Sequence, residues 1–550
     1  MSAWFLRSWT HPLLGLMGML CLVFVLPHLM SKSPITLYEG WPANPQQRAS
    51  LLREYGFERS LPVQYTLWLQ RLVTGQWGAS RYYQRPVFHD IIQGLGLTLL
   101  LLLWTLLASG LIILGLWGLH RLAPWFTALF PQHHILCLLE AAPGFLGAIF
   151  LRELIIWQLG WVSMANLPLF EPYYFLNPLY MLLPALPLTL TPLRLWYTRP
   201  QGHLTLQLTL RERWQNFRVN LCPALELFLL EVSLTESVFA FPGLGHVGIE
   251  ALKRRDVPVL QGFMLCTGVL YLLVRLWCTG RQACPQHHAS PWAFEPVLSS
   301  QKRIWGLVLL LTVVLLAPTW IRYDPMEIHS RDQFLAPGYR YTLGTDFLGR
   351  DILSRTLQGF RSSLPRVLGV TLLIGGVSWL ILGSTRRRSR WFGMLWQGGL
   401  AFAASLPSYI LAFMAFLICE SQRWSLEIAL ASAGLPAAAR LLTTPVSRAP
   451  YLAQLASLGS GMLVLEVVFT FLNLHTESYT SAWGSDLRHG MHYGHINIWM
   501  VIAPACAITW SRYSLQQLSQ TSPPSPPRYA EERSKVPATT RQNASEDGSK

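Results

Sequence analysis

Long apolar stretches recur along the whole chain, and they restrict its fold more than any other feature. The hydrocarbon core of a bilayer is about 30 Å thick and takes about 20 mostly apolar residues per helical crossing. Of the 550 residues, 51% are hydrophobic and 13% are charged, so lipid is the expected solvent. We predict an all-α polytopic membrane protein with about twelve transmembrane helices. The stretches lie near residues 12–30, 93–119, 135–157, 176–195, 221–240, 259–279, 304–321, 365–384, 393–419, 426–441, 451–474 and 498–517.

Ionisable residues interrupt some of these stretches. Glu140, Arg152 and Glu153 lie in the third stretch, and Glu226 and Glu231 lie in the fifth. Charges at membrane depth are costly unless they face a protein interior or a wet cavity. The pattern favours a helix bundle around a polar path over a simple anchor. Proton-driven transport through the carboxylates is an alternative.

The charges of the short loops predict an orientation. Lys and Arg prefer the cytoplasmic side, and a cytoplasmic N-terminus places most loop cations there. The C-terminus is then cytoplasmic too, and the long segment 31–92 lies outside. Lys253, Arg254 and Arg255 break the rule on the outer side. The cations that fit the rule are Arg121, Arg194, Arg199, Arg211, Arg213, Arg218, Arg281, Lys302, Arg303 and the run "TRRRSR" at 385–390.

An internal repeat divides the chain. The pattern E-x-V-F-x-F starts at Glu236 and recurs 230 residues later at Glu466. Each copy ends the fifth stretch of its half, and six crossings per half make the repeat parallel. We predict two six-helix halves, 1–295 and 296–518. Residues 519–550 are rich in Ser, Pro and charge, which predicts a disordered cytoplasmic tail.

The stretch "TLGTDFLGRDILSR" (342–355) resembles the start of a phosphate-binding loop because Gly344 and Gly349 have its spacing. Arg350 and Asp351 stand where that loop needs Lys and then Ser or Thr. We find no nucleotide-binding motif and predict that the chain is not an enzyme. Structural bracing is the favoured role. Asp346 is then expected to cap a short helix, and Asp351 to pair with Arg355 four residues on.

The stretch "FPGLG" (241–245) follows the first copy of the repeat. Pro242 is expected to end the fifth helix, and Gly243 and Gly245 to permit a tight turn.

Several segments resemble one family. "SLPVQYTLWLQRLVTGQWGAS" (60–80), "LLPALPLTLTPLRL" (182–195) and "ESVFAFPGLGHVGIEALKRRDVPVLQG" (236–262) resemble the first permease subunit of the dipeptide, oligopeptide and nickel ABC importers. "LGTDFLGRDILSR" (343–355) and "SAWGSDL" (481–487) are similar to the second permease subunit. Because the family usually has two separate chains, this chain resembles their fusion.

The resemblance implies a function. Each half would have the type I importer permease fold, and the protein would move peptides or a related small solute across the bacterial cytoplasmic (inner) membrane by alternating access. Separate ATPase subunits would use ATP and Mg on the cytoplasmic face, and a periplasmic or lipid-anchored solute-binding protein would deliver the solute outside. The resemblance implies no cofactor in this chain and no nucleic-acid partner.

The resemblance also implies residue roles. The gate at the outer mouth would include Glu236, Phe239, Pro242, Gly243, Gly245, Glu466 and Phe469. The structural signature of the second half would be Gly344, Asp346, Gly349, Arg350, Asp351, Trp483 and Gly484.

The chain departs from the family at the cytoplasmic loop that docks the ATPase. The usual loop carries Glu-Ala-Ala, then Gly, then Ile-x-Leu-Pro. "TLQLTLRERW" (205–214) lacks the triplet and the Gly, although "FRVNLCPAL" (217–225) resembles the end of the pattern. The candidate coupling residues are Arg211, Arg213, Arg218 and Pro223.

The departure is larger in the second half. Glu466 follows Leu442 by only 24 residues, which leaves too few for a docking helix beside a crossing of about 20 residues. A non-transporting membrane scaffold or regulator is therefore an alternative function.

Three histidines suggest a further alternative. His489, His492 and His495 are spaced three apart in a predicted outer loop. Three imidazoles can bind a borderline metal, so a nickel-like importer is possible, although outer histidines are usually just solvated. They are weak metal candidates.

Overall fold

The computed structural model describes most of both predicted halves. It describes residues 2–30, 33–38, 45–122, 142–159, 178–197, 210–279, 319–385, 406–419, 422–443, 448–474 and 481–518, with short pieces between 308 and 317 and at 399. Residues 280–300, around the boundary of the predicted halves, and the predicted tail 519–550 lie outside these residues.

The regular structure is helical throughout the described residues. The helices before residue 280 are α1 (Ser2–Met30), α2 (Pro45–Tyr55), α3 (Leu61–Val73), α4 (Val87–Leu122), α5 (Gly144–Leu159), α6 (Pro178–Leu188), α7 (Leu190–Tyr197), α8 (Leu210–Val238), α9 (Leu244–Arg254) and α10 (Val257–Thr279). Those after residue 350 are α11 (Ile352–Thr385), α12 (Ser408–Cys419), α13 (Ser425–Ala433), α14 (Leu435–Thr443), α15 (Arg448–Phe471), α16 (Trp483–Tyr493) and α17 (Trp499–Leu518).

Four of these helices are long and apolar enough to cross a membrane. They contain the spans Val87–Leu119, Val257–Trp277, Ile352–Ile381 and Tyr451–Phe471. The spans in α10 and α15 are 72% buried, whereas those in α4 and α11 are 22% and 39% buried. The described part of the chain is therefore a helical bundle with four candidate membrane spans, in which α10 and α15 are central and α4 and α11 present apolar side chains outward. Leu14–Met30, Met181–Leu193, Ser408–Cys419 and Ser425–Ala439 are shorter apolar helices.

One apolar cluster joins residues from both parts of the chain. Helix α1 packs on α10 and also contacts α12, and α5 contacts α17. The ring centroids of Phe145 and Phe471 lie 6.0 Å apart across this seam. We call the boundary between residues before 280 and residues after 318 the seam.

The two copies of the repeat end their helices in the same way. The Phe241 N–H donates to the Glu236 carbonyl at 2.8 Å, and the Leu474 N–H donates to the Phe469 carbonyl at 3.0 Å. These are helix stops in which the preceding residue is left-handed, with φ of 52° at Ala240 and 60° at Asn473. The second helix thus continues three residues further along the motif.

This geometry corrects the expected helix stop. Helix α8 already ends at Val238, before Pro242. Neither Gly243 nor Gly245 has a positive φ; the left-handed residue is Ala240. The turn therefore does not take its left-handed residue from the two glycines, although neither position has room for a Cβ atom.

The loops before α4 and α11 also match each other. Each holds one isolated β-bridge, Ala79 with Pro86 and Thr345 with Asp351. Each loop is tied to the residues before the last helix of its half. Ser80 Oγ donates to Asp256 at 2.5 Å, ahead of α10, and Asn497 Nδ2 donates to the Thr345 carbonyl at 3.3 Å, ahead of α17. These loops, with α9 and α16, lie at one end of the bundle, which we call the motif end.

Helix α16 lies very close to α15 at Gly484. A Cβ atom there would overlap the Thr470 side chain and the Val467 carbonyl. Trp483 is fully buried beside it and donates from Nε1 to the Thr356 carbonyl at 3.0 Å. Glycine is therefore required here for close approach.

Gly484→Ala is expected to destabilise the protein by about 1–3 kcal/mol because the backbone cannot yield to the added methyl group. The measurement is the melting temperature of the purified chain in detergent. Gly376→Ala is the control, since a Cβ there meets nothing within 4 Å. Equal melting temperatures for the two variants would contradict this close packing.

Candidate functional site

The carboxylate of Glu236 closes the N-terminus of α9. Glu236 is fully buried, and Oε2 accepts from the N–H groups of Gly245 at 2.7 Å and His246 at 3.2 Å. Thr98 Oγ donates to Oε1 at 2.5 Å and accepts from the Leu244 N–H at 2.8 Å. The first three N–H groups of α9 are thus satisfied, and an acidic side chain lies at the positive end of a helix.

The neighbouring glycines make room for this arrangement. A Cβ on Gly243 would overlap the Glu236 carboxylate, and one on Gly245 would overlap Ser233 of α8. Pro242 is partly buried and Phe239 is buried in the core. The five predicted gate residues of this half therefore lie together where α8 meets α9.

The second copy of the motif uses its carboxylate differently. Glu466 is fully buried, and its Oε1 lies 3.1 Å from Nη1 of Arg366, whose Nε lies 3.1 Å from Glu427. Phe469 packs between the rings of Phe413 and Phe416, at centroid distances of 5.5 and 5.6 Å. The repeated glutamate thus binds helices α11, α13 and α15 together instead of capping α16.

The signature loop braces the start of α11, but its two aspartates have exchanged the expected roles. Asp351, not Asp346, caps α11, accepting from the Ser354 N–H at 2.8 Å and its Oγ at 2.6 Å. Asp346 accepts from the Arg350 N–H at 2.9 Å and Nε at 2.7 Å. Gly344 and Gly349 take φ of 79° and 76°, which suits glycine.

Arg355 reaches a different partner from the one the spacing predicted. Its Nε donates to Asp486 of α16 at 2.9 Å, and its Nη1 donates to the Pro325 carbonyl at 3.1 Å. Trp483 packs edge-on against Phe360 with ring centroids 4.8 Å apart. The signature residues therefore form one joint between α11, α15 and α16.

A cavity of about 690 Å³ lies in the seam at the motif end. Ser237, beside Glu236, lines it, as do residues of α9 and the extended end of α15. Its lining is Ser237, Glu250, Leu252, Lys253, Arg255, Phe416, Leu417, Phe471, Leu472, Asn473, Leu474, Arg488, Met491 and His492. Sequence reasoning missed this site, although Lys253 and Arg255 had stood out as exceptions to the loop-charge rule.

The three histidines have separate environments. His489 packs against Phe347 at 4.9 Å between ring centroids, His492 Nδ1 lies 2.8 Å from the Arg488 carbonyl, and His495 lies 3.9 Å from Glu153. Within the described part of the chain, no group of three or more His, Cys, Asp or Glu residues could hold a metal ion.

The candidate coupling residues lie on helix, not loop. Helix α8 contains the backbone of all four: Arg211, Arg213, Arg218 and Pro223. The structure does not describe the side chains of these residues. In the second half α14 ends at Thr443 and α15 begins at Arg448. The four residues between them are not described, but their number leaves no room for a docking helix.

Comparison with known proteins gives related permeases, and no family model matches the chain. A peptide permease protein of Brucella abortus is 30% identical over 148 residues, covering 26% of this chain and 49% of the relative. A peptide transport system permease protein of Brucella suis is 27% identical over 274 residues, covering 41% and 92%. A peptide ABC transporter permease protein of Sinorhizobium fredii is 25% identical over 282 residues, covering 46% and 88%. The chain thus spans about half the length of the first relative and most of the other two.

Glu236→Gln is expected to cost about 1–3 kcal/mol of stability, since one oxygen acceptor is lost among buried donors. The measurement is the melting temperature in detergent, with the exposed Glu58→Gln as the matched control. If both variants have the same melting temperature as the parent protein, the carboxylate does not stabilise α9.

His489 is expected to make the protein sensitive to acid. Burial, aided by Arg355, Arg488, Arg350 and His492, lowers the pKa of His489 from 6.5 to about 3. The unfolded chain therefore binds this proton more readily, and stability falls as pH drops from about 6.5 towards 3. In melting experiments, His489→Asn should lose less stability across that range than the parent protein does. The control His89→Asn, at an exposed position, should lose as much stability as the parent protein. A steeper acid loss in His489→Asn would contradict the assignment.

Proposed function

We propose that this chain is a fused permease of an ABC importer that moves peptides or a related small solute across a bacterial cytoplasmic membrane. The carrying observation is the cavity in the seam, which is lined by residues at the repeated helix ends and on α9 and α16. The relatives support the proposal because nearly full-length peptide permeases match less than half of this chain. The remaining length suits a second permease unit, with about six crossings in each half.

The proposed transport path runs through the seam, with the motif end on the outer side. Alternating access requires contacts across the seam that break and re-form. Candidates are Arg152 Nη1 donating to the Met491 carbonyl at 2.5 Å and the approach of His495 to Glu153. The buried Phe145–Phe471 pair would slide as the halves rock.

Helix α8 would connect the two faces mechanically. Its 29 residues span about 43 Å at 1.5 Å per residue. It begins at the candidate coupling residues and ends at the cap of α9, so force from an ATPase at one end would reach the cavity wall at the other. The ATPase subunits would supply ATP hydrolysis, and a solute-binding protein would deliver cargo at the motif end.

A second candidate, a non-transporting scaffold or regulator, is favoured by one observation. The connection of four residues between α14 and α15 offers no docking helix in the second half. An active permease would then depend mainly on α8 for coupling.

The test is affinity purification of the tagged chain from solubilised membranes, followed by an ATPase assay of the recovered complex. We expect an ATPase to co-purify and to be released by the combined change of Arg211, Arg213 and Arg218 to Ala. The control removes three arginines from the predicted outer segment, Arg48, Arg53 and Arg59, and should retain the ATPase. If the intact parent chain recovers none, the scaffold function is favoured.

A further inference from the structure

The seam cavity has the size of a small-molecule site. Ligand pockets commonly measure about 300–1,000 Å³, and this one measures about 690 Å³. One wall is apolar and comes from Phe416, Leu417, Phe471 and Leu472. Such a wall suits a ligand with apolar side groups.

The lining also contains cationic residues from both sides of the seam. They are Lys253, Arg255 and Arg488, and Glu250 is the only acidic residue among the described lining residues. Glu250 already lies 3.0 Å from Lys253 and 3.4 Å from Arg254. The described lining thus contains three cationic side chains and one carboxylate, which already contacts Lys253.

Arg488 lies across the seam from these residues and is incompletely satisfied. Its Nε is buried without a hydrogen-bond partner among the residues that the structure describes. Burial lowers the pKa of its guanidinium, as expected for a cation that lacks compensating contacts. Its helix is fixed nearby, because the Arg488 carbonyl lies against His492 and Asp486 is engaged by Arg355.

We propose that the seam cavity binds a carboxylate-bearing, partly apolar solute, with Arg488 pairing with the carboxylate and Lys253 and Arg255 adding positive potential. A guanidinium presents a planar set of donors that matches a carboxylate. The inference rests on the proposed function in that the solute is the cargo. For a peptide, the carboxylate comes from the C-terminus or from an acidic side chain.

Three peptides distinguish these sources: Leu-Leu-Leu, its C-terminal amide, and the amide of Leu-Glu-Leu. Binding to the purified full chain in lipid nanodiscs is measured by calorimetry. We expect at least one carboxylate peptide to bind about tenfold more tightly than Leu-Leu-Leu amide, as for a charge-assisted contact. A preference for Leu-Leu-Leu assigns the site to the C-terminus, and a preference for Leu-Glu-Leu amide assigns it to an acidic side chain.

Arg488→Gln should abolish this preference, while the exposed Arg331→Gln should retain it. Should Arg488→Gln fail to fold, Glu250→Gln provides an independent measurement. Removing the negative charge of Glu250 should make the carboxylate peptide bind severalfold more tightly. Equal binding of all three peptides, no binding at millimolar concentration, or a preference that survives in Arg488→Gln overturns the proposal.

The two proposals fail separately. An ATPase recovered in the pull-down without any carboxylate preference leaves the permease function and removes the anion site. A preference that depends on Arg488, without a recovered ATPase, leaves the binding site and removes the coupled transporter.

Discussion

The arrangement of the motif end depends on one buried carboxylate. Glu236 lies where unmet hydrogen bonds cannot be satisfied by water, so each donor near it must find an acceptor within the protein. By accepting from Thr98 and from two N–H groups of α9, it joins helices α4, α8 and α9 at a single point. Gly243 leaves room for this carboxylate, and the joint also fixes α9, whose Lys253 lines the cavity.

The second half solves the same problem with other groups. Glu466 is matched by Arg366, which also contacts Glu427, while α16 is held by Asp486 and by Trp483. A hydrogen-bonded helix cap and a cross-helix ion network differ in which substitutions they tolerate. Loss of Arg366 would leave two carboxylates close together without their shared cation, a costly state in low dielectric.

Much of this architecture could be predicted from the sequence. The apolar stretches indicated an all-helical membrane protein, and the E-x-V-F-x-F repeat marked two helix ends that do share one stop geometry. The aspartates of the signature loop were placed correctly as bracing groups, but their roles were exchanged because Asp351, not Asp346, directly precedes α11. Sequence spacing favours local pairs such as Asp351 with Arg355, and it gives no sign that Asp486 lies closer in space. Arg488 was missed for the same reason, since its cavity is completed by residues more than 200 positions earlier.

Helices α8 and α15 end at different points of the repeated motif, and this difference has a consequence for the orientation of a bound solute. Because the second helix continues three residues past the point where the first turns away, Phe471, Leu472 and Leu474 line the cavity, while the first half contributes charge from Lys253 and Arg255. A duplicated sequence would otherwise present two similar faces, and a solute could lie between them in either direction. Here the two faces differ in chemistry, because the second half contributes Arg488 beside apolar residues and the first half contributes Lys253 and Arg255. A solute with one charged and one apolar end therefore does not meet the same contacts in both directions. The small offset between two copies of one motif thus gives the seam a polarity that the duplication alone would not provide.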